Sequence, residues 1–378
     1  MNKRSFIKNS ICATCGLAVA FGTRNLFGSL YRNLNAPPDD PNRFSREALH
    51  YISTPRGIKC KLCPQACELK PGETGDCRTR ENINGKLFTI AYGNPCAVHI
   101  DPIEKKPLYH FLPASKAYSI ATAGCNLACL NCQNWTISQE SPHNTRNYDL
   151  FPEAVVNEAK KYQCRTIAYT YSEPIAFYEY TMDTCKIART DGIKNLFISA
   201  GYINEQPLRE LAPFLDAANI DLKSFSNETY EMLNAGTLEP VLNTLKILRD
   251  EGVWLEITNL IVPSWTDNMQ EIEKMCQWLY SNGFENTPLH FSRFHPMYKL
   301  KNLPPTPTGT LDKARNIALG EGLNYVYVGN APELGDENTT CPNCRKIAIK
   351  RKGFSVTEFN IRDGKCISCG CKIAGVWN

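Results

Sequence analysis

Cysteine is the feature that most constrains this chain, because its 378 residues include 18 cysteines and most of them stand in closely spaced groups. Three groups account for eleven of them: Cys60, Cys63, Cys67 and Cys77; Cys125, Cys129 and Cys132; and Cys341, Cys344, Cys366 and Cys369. Gaps of two or three residues bring several thiolates to one metal centre. A disulfide framework instead joins distant loops of short secreted chains, so the pattern predicts metal sites.

The rest of the composition is that of a globular protein with a large core. The apolar fraction is 43%, and at about 150 residues per domain the length corresponds to roughly two domains. The net charge of +4 is small for this length, and no long basic run is present. Nucleic acid is therefore not indicated as a partner.

The amino terminus has the pattern of a targeting segment. A basic stretch over residues 3–8 precedes an uncharged, largely apolar stretch over residues 9–23, which resembles a twin-arginine signal with Lys3 in place of the first arginine. The apolar run is shorter than the ~20 residues of a membrane span, and no clear cleavage site follows it. An uncleaved, loosely ordered terminus is the alternative, so residues 1–35 are a possible signal or anchor and linker.

Three folded parts are predicted after this segment. Residues 36–112 form a small Cys-rich module that needs a metal to hold it. In residues 113–335, short apolar runs alternate with amphipathic ones. The predicted strands are 118–121, 166–169, 196–199, 218–222, 254–260, 289–294 and 325–328, and the predicted helices are 151–162, 175–189, 240–251 and 269–280. This alternation predicts an α/β fold with a parallel sheet closed into a complete or partial barrel, whose ligands bind where the strands end.

The first and last cysteine groups are typical of separate metal sites. Cys341-x2-Cys344 and Cys366-x2-Cys369, separated by 21 residues, predict a zinc ribbon over residues 336–378. The group Cys60, Cys63, Cys67 and Cys77 fits either zinc or a second iron–sulfur cluster. The gap after Cys67 is longer than the short gaps of a bacterial ferredoxin run, so zinc is the expected metal.

The central group has the spacing CxxxCxxC, formed by Cys125, Cys129 and Cys132. Three thiolates leave one iron of a four-iron, four-sulfur cluster without a protein ligand, and an open iron can bind a cofactor or substrate. The alternative is a fourth ligand from elsewhere in the chain, which would make an ordinary electron-transfer cluster. The position of the motif at the start of a barrel-like run, rather than in a small ferredoxin fold, favours the open site.

CxxxCxxC after the first strand of a barrel resembles the radical S-adenosylmethionine (SAM) superfamily. Three flanking segments, 101–111, 133–135 and 169–174, are similar to the radical enzyme of the AmmeMemoRadiSam group, a relative of pyruvate formate-lyase activating enzymes. Asn131 departs from the apolar residue usual before the third cysteine. The resemblance implies a partial (β/α)6 barrel, a [4Fe-4S] cluster on Cys125, Cys129 and Cys132, SAM as cofactor and a low-potential electron donor. It also implies Memo-like and AMMECR-like partner proteins.

The resemblance assigns further residues to the cofactor site: Glu173, Gly201, Asp221, Lys223 and His295. Glu173 would accept a hydrogen bond from the SAM amino group, although a Glu at a helix amino terminus is the alternative. Lys223 and His295 would hold the SAM carboxylate, whereas Asp221 and Lys223 could also form a purely structural ion pair. A second set could touch substrate or form a solvated turn: Lys105, Lys106, Tyr109 and His110.

Three functions fit the sequence. The first is a radical SAM enzyme that abstracts hydrogen from an unidentified small-molecule or protein substrate. The second is a glycyl-radical-enzyme activase, and the third is a non-catalytic iron–sulfur or zinc module. Because SAM and a low-potential reductant are cytoplasmic supplies, the enzyme interpretation favours a cytoplasmic or cytoplasm-facing, membrane-tethered protein. Export by the twin-arginine-like signal is the alternative.

Overall fold

The computed structural model describes residues 42–331, 334–335 and 337–378. The chain divides into two units, Met1–Asp40 and Pro41–Asn378. The predicted signal segment lies outside the described residues. Among the helices of the described part, none is both long enough and apolar enough to cross a membrane.

An eight-stranded sheet forms the centre of the second unit, and its strands lie side by side in chain order. The strands are Ala97–Pro102, Lys116–Ala121, Thr166–Tyr169, Lys194–Ser199, Ala217–Asp221, Trp254–Ile261, Leu289–Arg293 and Val326–Gly329. The first pairs antiparallel with the second, and the other neighbouring pairs are parallel. This is the partial barrel that the sequence predicts, and the seven predicted strands are confirmed with small shifts at their ends.

Helices cover the outside of this sheet. The α-helices are Trp135–Ser138, Pro152–Lys161, Tyr178–Thr190, Glu205–Leu211, Asn227–Thr229, Leu238–Asp250, Met269–Ser281 and Thr308–Gly320. The 3-10 helices are Ile103–Lys105, Pro142–Asn144, Pro174–Phe177 and Ala212–Phe214, and Tyr230–Asn234 is a π-helix. The helix Leu238–Asp250 buries Val241, Leu245 and Leu248, so its apolar stripe at helical spacing packs towards the core. All four predicted helices are present.

The Cys-rich amino-terminal part is built from two small antiparallel sheets. Their strands are Arg46–Glu47, Tyr51–Thr54, Gly57–Cys60, Glu68–Leu69, Arg80–Ile83 and Lys86–Thr89. The following strand, Ala97–Pro102, was assigned to the same module from sequence, yet it pairs with the first parallel strand of the barrel. The buried Arg80 forms an ion pair with Glu179 of a barrel helix. The Cys-rich part therefore packs directly on the barrel.

The carboxyl-terminal part is also all β. Its strands are Thr339–Thr340, Ile347–Lys352, Ser355–Phe359, Ile361–Arg362 and Lys365–Cys366. Its core contains Ile349 and Ile373 and continues into Tyr325 and Tyr327 of the barrel. His110 contacts the end of the chain, because its Nδ1 hydrogen-bonds the Ala374 carbonyl at 2.6 Å.

Candidate functional site

One large cavity, of about 750 Å³, lies at the carboxyl ends of the parallel strands. Cys125, Cys129 and Cys132 line it together with Glu173 and residues from the later strands. The loops after parallel strands meet at one edge of a sheet, which explains how residues far apart in the chain share this space. The cavity therefore lies at the end of the barrel where the sequence predicts that ligands bind.

The three cysteines of CxxxCxxC stand on the loop that follows the strand Lys116–Ala121. Each thiol has a polar neighbour. The Leu127 N–H donates to Cys125 Sγ at 3.4 Å, and Asn234 Nδ2 donates to Cys129 Sγ at 3.2 Å. Cys132 Sγ lies 3.1 Å from Ser138 Oγ. Hydrogen-bond donors around thiolates stabilise their charge and tune a cluster that they hold, so this donor set fits an iron–sulfur centre.

Glu173 bridges the second and third parallel strands at the cavity. Its Oε1 accepts from Ser199 Oγ at 2.6 Å and from the Ile175 N–H at 3.2 Å, and its Oε2 accepts from the Ala200 N–H at 2.9 Å. Burial raises the pKa of Glu173 to about 6. A carboxylate has about four acceptor positions, and three are occupied. Glu173 thus caps the short helix Pro174–Phe177 and also faces the cavity.

Gly201 and the Asp221–Lys223 pair follow the third and fourth strands. Gly201 has a φ of +67°, and a Cβ there would lie 2.9 Å from Ile220 Cγ2, so the turn itself requires glycine. Ser199 and Ala200, rather than Gly201, line the cavity. Lys223 Nζ donates to Asp221 Oδ2 at 2.8 Å at the cavity wall. Burial alone would lower the pKa of Lys223, but Asp221 and the Cys129 thiol outweigh it and raise the pKa.

The structure does not bring His295 to the other predicted residues. His295 is exposed and lies outside the lining of the cavity, whereas His290, on the preceding strand Leu289–Arg293, faces it. His290 Nε2 lies 2.7 Å from the buried Glu256 carboxylate. Burial would raise the pKa of Glu256, but the hydrogen bond from His290 and its charge lower it. His290 could not be predicted as a site residue from the sequence, because a histidine in mid-strand resembles a packing residue.

A buried polar cluster at the cavity wall was not predicted from the sequence, which left the role of its member Lys106 undecided. Lys106 Nζ donates to Asp101 Oδ2 at 2.6 Å and lies 4.3 Å from the centre of the Tyr171 ring. The Tyr171 hydroxyl donates to the same carboxylate. Tyr171 has a φ of +65°, a conformation that is uncommon for a bulky residue and is concentrated at functional sites. Lys106, for which the sequence left substrate contact and a solvated turn both open, is therefore buried beside the cavity.

The carboxyl-terminal group forms a second, separate site. The Sγ atoms of Cys341, Cys344, Cys366 and Cys369 all lie within 4.8 Å of one another. Two of these separations are 3.6 Å, between Cys341 and Cys369, and 3.8 Å, between Cys344 and Cys366. The predicted convergence of these thiols on one point is confirmed, and zinc remains the predicted metal.

The amino-terminal group lines a third space. Cys60, Cys63, Cys67 and Cys77 surround a cavity of about 20 Å³. Asn126, the neighbour of Cys125, also lies in its wall. All four residues thus line one space, and the metal that they hold stays a prediction.

Comparison with known proteins matches the central part of the chain to one family. Residues 119–279 match the family model of the Radical SAM superfamily. The chain is 46% identical over 331 residues to Uncharacterized protein MJ0808 of Methanocaldococcus jannaschii, an alignment that covers 87% of this chain and 98% of that protein.

More distant relatives are named as enzymes. The chain is 25% identical over 238 residues to the pyruvate formate-lyase-activating enzyme of Staphylococcus epidermidis, which covers 57% of this chain and 90% of that enzyme. A crystal structure of a radical SAM methyltransferase from Sphaerobacter thermophilus aligns with a TM-score of 0.46 at 14% identity, over 58% of this chain and 67% of that one. The family match covers the cysteine loop and the strands up to Trp254–Ile261, and the chain belongs to the radical SAM superfamily as a radical SAM enzyme.

Proposed function

We propose that this enzyme binds a [4Fe-4S] cluster through Cys125, Cys129 and Cys132 and acts on a substrate held in the same cavity. The observation that carries the proposal is the arrangement of the three thiols. Each has a polar neighbour within 3.4 Å, and all three line the cavity that Glu173 and Lys223 also line. When bound, the cluster supplies the electron that cleaves SAM into methionine and a 5′-deoxyadenosyl radical, which takes hydrogen from the substrate.

The residues of this chain would then bind and orient the cofactor. Glu173, with one acceptor position left, would accept from the SAM amino group, and Lys223 would hold the SAM carboxylate. Gly201 would contribute through the turn that places Ser199 and Ala200 at the cavity. A role for His295 has no support from its exposed position.

The substrate side is the wall that carries Lys106, Asp101 and Tyr171. Lys106 and Tyr171 line the cavity, with Asp101 hydrogen-bonded behind them, and Gly353 and Phe354 of the carboxyl-terminal part line it too. The AmmeMemoRadiSam group remains our proposal for the closer family, with Memo-like and AMMECR-like proteins as partners. A low-potential donor would supply the electron, which favours a cytoplasmic or cytoplasm-facing location.

A glycyl-radical-enzyme activase is the second candidate. The names of the distant relatives favour it, since pyruvate formate-lyase-activating enzymes are 22–25% identical to this chain. Against it stands the position of the additional cysteines, which precede CxxxCxxC, whereas activases with added clusters insert a ferredoxin-like segment after it. A protein substrate would have to reach the cavity past the carboxyl-terminal part.

The experiment is the detection of 5′-deoxyadenosine from anaerobically reconstituted protein supplied with dithionite and SAM. We expect formation by the wild type, formation by the matched control Cys276→Ala, whose thiol is buried on a helix, and none by Cys129→Ala. Absence of product from wild-type protein that carries a four-cysteine-ligated cluster would contradict the proposal and favour a non-catalytic electron-transfer module.

A further inference from the structure

The amino-terminal cysteines line one chamber, in which Cys60 and Cys63 are buried and Cys67 and Cys77 are partly exposed. Cys60 and Cys63 are 6% and 8% exposed. The remaining wall is largely apolar and includes Leu62, Leu69 and Ile175. Four thiols that face one buried, mostly apolar space have no ordinary packing role together, because a free thiol packs as a small isolated apolar group.

The chamber is too open for one metal ion. Zn–S bonds of about 2.3 Å place four tetrahedral sulfurs about 3.8 Å apart, with no free space between them. The carboxyl-terminal group has this geometry, with Sγ separations of 3.6 and 3.8 Å. The amino-terminal thiols instead border about 20 Å³ of free volume, which is enough for a water-sized body. Among the described residues, only the carboxyl-terminal thiols form a group whose ligand atoms all lie within 4.8 Å of one another. The amino-terminal thiols are therefore more widely spread than one zinc ion requires, and this spread suits a core of several atoms, such as iron and sulfide.

Two side chains donate towards the sulfurs of the chamber. Arg80 Nη1 lies 3.6 Å from Cys60 Sγ, and Thr79 Oγ1 donates to Cys77 Sγ at 3.2 Å. Arg80 is 1% exposed and is also paired with Glu179. A buried cation and a hydroxyl beside thiolates lower the cost of placing an anionic centre in an apolar wall.

The chamber is in direct contact with the CxxxCxxC loop. Gln65 Nε2 donates to the Asn126 carbonyl at 2.9 Å. A Cβ on Gly124, whose φ is +100°, would lie 2.5 Å from the Cys77 carbonyl oxygen. Only glycine permits this approach of the two backbones. The Cys77 ligand and the Cys125 ligand therefore belong to segments that touch.

We propose that Cys60, Cys63, Cys67 and Cys77 hold a second iron–sulfur cluster, fully ligated by protein, that passes electrons to the cluster on Cys125, Cys129 and Cys132. One electron from a low-potential donor would reduce the second centre, and its transfer to the first would return the second to the oxidised state. This inference rests on the proposed function only for the existence of the first cluster. Zinc, which the spacing in the sequence favours, is the competing outcome.

The test is the content of iron, sulfide and zinc in anaerobically reconstituted full-length protein. We expect about eight iron atoms, about eight sulfides and about one zinc per chain. About four iron atoms, whatever the zinc content, would overturn the proposal without any variant.

Variants assign the iron to its site. The combined change Cys125→Ala, Cys129→Ala and Cys132→Ala is expected to keep about four iron atoms, and the further change Cys63→Ala with Cys67→Ala should remove them while zinc is unchanged. Cys164→Ala, a buried thiol outside the three groups, is the matched control. If the triple variant keeps no iron, the second cluster is refuted. SAM cleavage by the wild type separates this result from failure of the proposed function.

The proximity of the two clusters, which electron transfer requires, can be measured from the coupling of their spins. When both clusters are reduced, their spins should couple, so the electron paramagnetic resonance (EPR) signal of the wild type should be broader than that of the triple variant. A wild-type signal that is the plain sum of two uncoupled clusters would contradict the contact between the two sites.

Discussion

The two four-cysteine groups at the ends of this chain have the same chemistry and different geometry. The carboxyl-terminal thiols converge within 4.8 Å of one another and stand away from the barrel cavity. The amino-terminal thiols surround free space and share Asn126 with the loop of the catalytic motif. The first arrangement suits a metal ion that holds a part of the fold together, and the second suits the redox centre that we propose for it.

Loss of the carboxyl-terminal metal should have the largest effect on stability. Cys366→Ala removes a buried ligand, and a structural zinc contributes folding free energy directly. We expect the loss of one zinc per chain and early proteolysis within residues 337–378, measured by metal analysis and mass spectrometry of the fragments. Cys371→Ala, a neighbouring cysteine outside the group, should behave as the wild type. Intact, protease-resistant Cys366→Ala protein would contradict a structural role.

Removal of the buried cation at the amino-terminal chamber should have the second-largest effect on stability. Arg80→Met leaves Glu179 buried without its ion-pair partner, and breaking a buried pair costs about 3–5 kcal/mol. Urea unfolding of the variant measures this loss. Lys86→Met, which removes an exposed pair with Glu47, is the control and should leave the free energy of unfolding close to that of the wild type, because solvent screens exposed ion pairs. Equal effects of the two changes would contradict the claim that the buried pair of Arg80 and Glu179 stabilises the fold more than an exposed pair does.

Acid should weaken the attachment of the carboxyl-terminal part. Burial lowers the pKa of His110 from 6.5 to about 4, so the folded protein holds this ring neutral. Its stabilising contribution is fully present above pH 6.5 and is lost as the pH falls from 6.5 to about 4, by roughly 3 kcal/mol.

The measurement is the free energy of unfolding against pH for the wild type and His110→Gln. An amide can still donate to the Ala374 carbonyl and accept from the Tyr327 hydroxyl, but it does not titrate. Between pH 6.5 and 4, the free energy of unfolding of the variant should therefore fall less steeply than that of the wild type. Parallel curves would refute the assignment of this slope to His110.

The smallest expected effect concerns a single hydroxyl in the chamber. Thr79→Val removes the hydroxyl whose single proton is shared between Cys77 Sγ at 3.2 Å and the Ala176 carbonyl at 2.7 Å, at a cost of about 1–3 kcal/mol for the acceptor left buried. If the chamber holds a cluster, loss of this donor should lower its reduction potential. Thr357→Val, on an exposed strand, is the control. An unchanged potential would contradict a hydrogen bond from Thr79 to a sulfur of the cluster.

Much of the site followed from spacing and periodicity in the sequence. Alternating apolar runs located the seven parallel strands, and the end of each strand located Glu173, Asp221 and Lys223. The helix Thr308–Gly320 was missed because its buried stripe includes the small residues Ala314 and Ala318, which give a weak periodic signal.

Contacts between distant segments had no signal in the sequence. Asp101, Lys106 and Tyr171 meet only because an antiparallel strand adds to the sheet edge. His290 faces the cavity and His295 does not, a difference set by where the strand Leu289–Arg293 ends. The free volume among the amino-terminal thiols likewise depends on tertiary packing, so the sequence alone favoured zinc.

The most direct test of the central claim is EPR of the reduced enzyme before and after addition of SAM. An open iron on the cluster of Cys125, Cys129 and Cys132 predicts that SAM changes the signal of the wild type. It also predicts that SAM leaves unchanged whatever signal remains in the triple variant Cys125→Ala, Cys129→Ala and Cys132→Ala. A wild-type cluster signal that is identical with and without SAM would contradict the account.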